Sequence, residues 1–215
     1  MGSAKEIIIK VIPAYIANNF VKKHHYSGKV VPNSNLHMGC FLNNELHGVL
    51  SYGPSINKKG TMNLVKDTKW NEFIELNRMA FDQTLPKNSE SRCLAISFKL
   101  IKKNAPHIKW IISFADATSS GDGCIYRASG FKLVGIVKNT SLRKDPITNK
   151  VIHIIQAHHL KISKEFRNWA PLPGYQLKYV YLIDKTCKLS VPEIPFSKIK
   201  ELGIGMYKGK KIMRT

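Results

Sequence analysis

Residues 71–103 read NEFIELNRMAFDQTLPKNSESRCLAISFKLIKK, and residues 104–135 continue NAPHIKWIISFADATSSGDGCIYRASGFKLVG. The apolar run FIELNRMAF predicts a strand that ends in the polar loop PKNSESR. From Ser89 the apolar positions Leu94, Ile96, Phe98 and Ile101 recur with helical period, so a helix is expected to about Lys103. Asn88 or Ser89 would cap it. WIISFAD is almost wholly apolar, as a central strand buried on both faces requires. GCIYRASG reads as a short helix closed by Gly130, with a strand following from Phe131. In a sheet of this kind the ligand site lies beyond the carboxyl ends of the strands. That rule brings forward Arg78, the loop residues Lys87, Asn88, Ser89, Ser91 and Arg92, and then Asp116 and Tyr126.

Outward from this stretch, EIIIKVI predicts a first strand and AYIANNFVKKHHY a helix stopping near Ser27 and Gly28. LHMGCFLNNELHGVLSYG predicts a hairpin turning at Asn43 and Asn44, residues that tolerate positive φ. On the far side, FKLVGIV and VIHIIQAHHL read as strands joined by the turn-rich NTSLRKDPITNK, and LKYVYLI as a last strand. The fold class is therefore α/β (α+β), a mixed sheet flanked by helices. Residues 1–183 would form the catalytic domain, and residues 184–215 a basic extension rich in Gly, Pro and Lys.

The 215 residues carry 34 Lys and Arg against 14 Asp and Glu, a formal charge of +20. Self-repulsion of that size points to a polyanionic partner, most simply the phosphate backbone of nucleic acid. Lys99, Lys102, Lys103, Lys109, Lys208, Lys210 and Lys211 are candidate backbone contacts, against the alternative of ordinary solvated faces. No apolar run approaches the roughly 20 residues of a membrane span, and the start lacks a secretory leader pattern, so a cytoplasmic protein is expected. Cys40, Cys93, Cys124 and Cys187 are widely spaced and read as reduced thiols. Composition does not fix an oligomeric state.

The order of elements, and the corner Y-R-A-S-G-F, are similar to the GNAT acyltransferase fold. That fold usually holds the coenzyme A pyrophosphate in a glycine-bearing loop; here the loop is K-N-S-E-S-R, with no glycine. H-Y-S-G-K at residues 25–29, E-L-N-R-M-A-F, P-K-N-S-E-S-R, and F-A-D ahead of G-C-I-Y-R-A-S-G-F resemble the phage Mom family. Members of that family modify adenine in DNA to a carbamoylmethyl form, shielding phage DNA from host restriction. The resemblance implies site residues at His25, Tyr26, Arg78, Ser91, Asp116 and Tyr126, an acetyl-CoA-type donor, and iron held by His25 and Tyr26. Asp116 would be a general base on the adenine amine or a metal ligand, Tyr126 a general acid, and Arg78 an anion clamp. The phosphates of the donor would lie on Lys87, Asn88, Ser89, Ser91 and Arg92, at the helix N-terminus. Tyr52 or Phe81 would stack an extruded base, with a place in the core as the alternative for either. Two other readings stay open: an ordinary acyl-CoA N-acyltransferase acting on a small amine, RNA or protein, and a non-enzymatic nucleic-acid-binding protein.

Overall fold

The computed structural model describes residues 4–118, 121–204, 206–207 and 210–211, the last four by backbone only. After a 3-10 turn at Ala4–Glu6, the elements run β1 (Ile8–Val11), α1 (Ala14–His24), β2 (Leu36–Leu42), β3 (Glu45–Gly53), α2 (Lys58–Met62) and β4 (Phe73–Phe81). Then come α3 (Ser89–Asn104), β5 (Trp110–Asp116), α4 (Cys124–Ala128), β6 (Lys132–Lys138), β7 (Leu142–Lys144) and β8 (Val151–His153). The chain closes with α5 (Ile154–His159), α6 (Ser163–Asn168), β9 (Tyr175–Leu182), α7 (Ser197–Glu201), β10 (Met206–Tyr207) and β11 (Lys210–Lys211).

The chain divides into two compact units. The first comprises Met1–Phe114, Gly123–Val134 and Lys178–Pro195. The main sheet has the order β1-β2-β3-β4-β5-β9-β6. β1 to β4 pair antiparallel, and β4 pairs parallel with β5. The Asn43-Asn44 turn is as expected: both residues have positive φ, 51° and 64°, and Leu42 pairs with Glu45. The helical period of α3 is explained by burial of Cys93, Leu94, Ser97, Phe98 and Ile101. Trp110 and Phe73 stack at 4.4 Å in a cluster with Val65, Ile112, Val134 and Val180. Cys40 and Cys93 are buried free thiols, and the hydrogen bond between them, then burial, raises the pKa of Cys40. Residues 184–195, the start of the expected extension, pack on this unit. Leu189 bridges Val65, Ile194 N–H donates to Leu133 O (2.8 Å), and Lys132 pairs with Glu193 (2.7 Å).

The second unit comprises Ala115–Asp122, Gly135–Leu177 and Phe196–Thr215. Its centre is Ile152, Ala157 and Phe166, with Ile162 and Trp169 against them. Here the sequence reading needs correction. VIHIIQAHHL is not one strand: β8 stops at His153, and α5 begins at Ile154. The His153 ring accepts from Ile155 N–H (3.2 Å), and a histidine N-cap carries no sequence signal of the usual kind.

Candidate active site

The site is built on β4. Ser51 pairs with Arg78 and Tyr52 with Leu76, so Asn77 is an extra residue, a β-bulge. On a regular strand, residues three apart face opposite sides. The extra residue puts Glu75 and Arg78 on one side, where each lies in the field of the other. Arg78 Nε donates to Lys29 O (2.8 Å) and Nη1 to Asn77 O (2.7 Å), which fixes the guanidinium. Burial raises the pKa of the Glu75 carboxyl, opposed by Ser55, Asn77 and Arg78. Asn77 is buried, and its Nδ2 makes no hydrogen bond of good geometry, although it stands near Glu75.

Tyr126 lies on α4 with its ring against Phe131 (5.2 Å) and Tyr179 (5.3 Å). Gly123 opens α4 at φ 71°; a Cβ there would stand 2.6 Å from the Tyr179 ring. Tyr126 is 8% exposed, so its ring is core while its hydroxyl belongs to the site. Burial pushes that hydroxyl up to about 12, opposed by Ser113 and then Arg78, with Tyr26 and Glu75 pushing the same way as burial. It is protonated at neutral pH and able to donate.

α1 ends at His24, and His25 turns the chain into extended conformation (φ −81°, ψ 136°). His25 Nδ1 receives the Ser27 N–H (3.2 Å) and lies 2.8 Å from the Ser27 hydroxyl. Burial, then the charge of Arg78, lowers the His25 pKa to about 4, so the ring is neutral at pH 7. With Nδ1 accepting, the proton resides on Nε2. Tyr26 lies against the His25 ring at 4.3 Å and in the field of Arg78 and Tyr126. The loop after it is tied to the bulge: Ser34 Oγ donates to Asn77 Oδ1 (3.0 Å), and Asn33 Nδ2 to Pro54 O (2.7 Å).

In this unit, then, His25, Tyr26, Arg78 and Tyr126 come together. Glu75 joins them, a residue the sequence reading missed because a lone acid in an apolar strand reads as a solvent-facing rung. The bulge that re-aims it leaves no mark in composition.

The helix loop is more mixed. Asn88 caps α3 in the left-handed region (φ 70°), and Lys87 is exposed. Ser89 is fully buried, its hydroxyl donating to Pro86 O (2.5 Å), so it serves the turn. Arg92 Nη2 donates to Lys5 O (3.1 Å), tying α3 to the chain start. Ser91 Oγ donates to Asn88 O (3.2 Å). Tyr52, expected to stack a base, is 0% exposed and bonds Ser97 (2.6 Å); it is core. Phe81 covers Gly48, where a Cβ would meet its ring at 2.2 Å.

Asp116 belongs to the second unit. Its Oδ1 accepts from Thr118 N–H (2.9 Å) and Asn139 Nδ2 (3.1 Å). The acid thus closes the turn after β5.

Of the candidate cations, Lys99, Lys102 and Lys103 are exposed on α3, while Lys109 is paired with Glu72 (2.8 Å). Lys210 and Lys211 form β11, and Lys208 lies outside the described residues. A separate cleft, lined by Lys66, Asp67, Glu72, Lys109, Asp184 and Cys187, opens at the amino ends of β4 and β5.

A sequence model of the Mom protein family matches residues 6–198. The chain belongs to the Mom family. One family relative, the methylcarbamoylase mom of Escherichia phage Mu, is 34% identical over 142 residues. That alignment covers 66% of this chain and 59% of the relative, so the chain spans under two thirds of the relative's length. An N-acetyltransferase from Staphylococcus aureus Mu50 shares the fold, with a TM-score of 0.51 at 11% identity, covering 83% of this chain and 99% of that one. A Bacillus subtilis acetyltransferase superposes at a TM-score of 0.49 and 10% identity, covering 82% and 98%. The mixed sheet flanked by helices is thus the GNAT-like architecture expected from the sequence.

Among the described residues, no three His, Cys, Asp or Glu side chains form a metal-holding group. The donor set at His25 and Tyr26 does not suit iron. His25 Nδ1 is already engaged by Ser27, and the ring lies in the field of the Arg78 cation, which opposes a second one.

Proposed function

We propose that this protein is a transferase that modifies the exocyclic amine of adenine in DNA, in the manner of the Mom relative, and so shields the DNA from restriction. The observation that carries the reading is the cluster of Glu75, Arg78 and Tyr126: a base, an anion clamp and a proton donor in one field. The adenine amine is a poor nucleophile because its lone pair is delocalised into the ring. Attack therefore requires removal of its proton, stabilisation of developing negative charge, and protonation of the leaving group.

Glu75 suits the first task. Its carboxyl is pushed toward neutrality by burial, where a base works best. Asp116, the acid expected from the sequence, is the second candidate, but its Oδ1 already accepts two hydrogen bonds. Arg78, held by two backbone carbonyls, presents a fixed positive charge to the developing anion. The Tyr126 hydroxyl delivers a proton to the departing sulfur.

An acyl-CoA-type donor fits two features. The buried Asn77 Nδ2, which stands beside the Glu75 carboxyl without a hydrogen bond of good geometry, is a donor that a bound carbonyl oxygen would satisfy. The α3 N-terminus, with Glu90 and Ser91 N–H groups directed out of the helix and Lys87 exposed beside it, suits a pyrophosphate. When bound, such a donor would supply its acyl carbon to the amine as the C–S bond breaks and the thiol departs. Iron has no part in the scheme. The exposed lysines of α3 contact DNA phosphates, and the protein acts in the cytoplasm where that DNA resides.

Nucleoside mass spectrometry on DNA from cells expressing the protein tests this. A modified deoxyadenosine should appear with the wild type and vanish with Tyr126→Phe. An unchanged adenine profile under good expression would sink the proposal.

A further inference from the structure

The β7–β8 hairpin of the second unit has a tip with no role in the fold. Ile147 is 88% exposed, more than any other large apolar side chain among the described residues. It is not on a loose loop. Asp145 closes the tip: its Oδ1 accepts from Ile147 N–H (2.9 Å), its Oδ2 from the Thr148 hydroxyl (2.5 Å), and its carbonyl from Asn149 N–H (2.9 Å). Asp145 N–H donates to Lys150 O (2.9 Å), Asn149 takes positive φ (59°), and Pro146 fixes the residue before Ile147. The root is equally fixed. Arg143 Nη1 donates to the carbonyls of Arg167 (2.7 Å) and Trp169 (2.6 Å), and its guanidinium lies over the Phe166 ring at 5.4 Å. Ile152, paired with Arg143, is buried against Ala157 and Phe166.

A preset turn thus holds one apolar side chain in water, with the exposed Lys144 and Lys150 on either side of it. Apolar side chains flanked by cations are what proteins insert between DNA base steps. An enzyme that works on the adenine amine must take the base out of the stack, which leaves a gap to be filled. We infer that the β7–β8 hairpin is a duplex wedge: Ile147 enters the base stack of duplex DNA while Lys144 and Lys150 hold the flanking phosphates. This rests on the adenine-modification reading above. It commits to duplex DNA rather than protein because the tip carries two lysines on a chain of net charge +20.

The test uses the full chain and duplexes carrying one 2-aminopurine, a fluorescent adenine analogue quenched by stacking, in varied sequence contexts. Wild type should raise the fluorescence severalfold. Ile147→Ala should abolish most of that rise, and Ile147→Met should keep it. For Ile147→Ala the ratio of modification rate on duplex to that on single-stranded DNA should fall about tenfold, because a single strand needs no wedge. Lys144→Ala and Lys150→Ala should each reduce the salt slope of duplex affinity by about 0.9. The inference is overturned if Ile147→Ala matches wild type in both fluorescence and rate ratio. It is equally overturned if that variant only breaks up a concentration-dependent dimer, in which case the tip meets a second copy. Wild type that modifies adenine while the analogue stays dark overturns the wedge alone; wild type that leaves adenine unmodified overturns the functional reading with it.

Discussion

Glu75 and Arg78 lie three residues apart on one strand, yet they share one electrostatic field with Tyr126. The bulge at Asn77 is the cause, since it reverses the alternation that would otherwise part them. An acid and a base held together half-buried are costly for the fold and useful for chemistry, and that tension makes the site testable.

Replacing the acid separates stability from activity. The folded pKa of Glu75 is raised, so its contribution to stability is full below the unfolded value near 4.5 and is lost as pH rises through the folded pKa. Glu75→Gln keeps the shape and removes the ionisation. It should melt higher than wild type at pH 8 and gain nothing at pH 4, while transfer falls by ~10²–10⁴-fold with DNA affinity retained. A variant with full transfer would pass the role of base to Asp116, and Asp116→Asn would then show the loss.

For Tyr126→Phe the ring packing on Phe131 and Tyr179 survives, and only the hydroxyl is lost. Stability should change by about 1 kcal/mol or less, while transfer drops ~10²–10⁴-fold. Thermal melts and single-turnover rates measure the two separately.

The His25 ring should titrate near pH 4 by NMR rather than near its ordinary 6.5. Between those values the unfolded chain takes up a proton that the folded chain refuses. Stability therefore falls as pH drops from about 6.5 toward 4, and His25→Gln should flatten that decline. Burial is the larger cause and Arg78 the second, so Arg78→Ala should move the midpoint up only part of the way.

Gly53 pairs with Glu75, and a Cβ there would lie 2.4 Å from Asn33 O and 2.6 Å from Asn77 Oδ1. Backbone cannot yield cheaply. Gly53→Ala should cost ~1–3 kcal/mol and dislodge the 33–34 loop from the bulge. Denaturant unfolding gives the cost, and loss of the Ser34–Asn77 hydrogen bond should appear as faster exchange in that loop.

Much of the fold was legible because local rules were strong. Asn43-Asn44 allows few conformations besides a tight turn, and the apolar period of α3 is borne out by its buried face. VIHIIQAHHL misled because its apolar run suits either period. Only packing decides that Ile152 and Ala157 go inside while Ile154 and Ile155 stay in water. Tyr52 was a candidate to stack a base or to join the core, and its hydroxyl has a buried partner in Ser97, 45 residues away.

Taken alone, the sequence determined the elements from β1 to β6 that build the main sheet, α2 excepted, the excess of positive charge, and the blocks that mark the family, because propensity, periodicity and composition act over short stretches of chain. Tertiary structure alone decided which charges meet. One inserted residue in β4 turned Glu75 toward Arg78, burial then displaced the proton affinities of Glu75, His25 and Tyr126, and hydrogen bonds spent Ser89 and Arg92 on the scaffold. Electrostatic coupling depends on distance through the folded interior, and separation along the chain does not encode it.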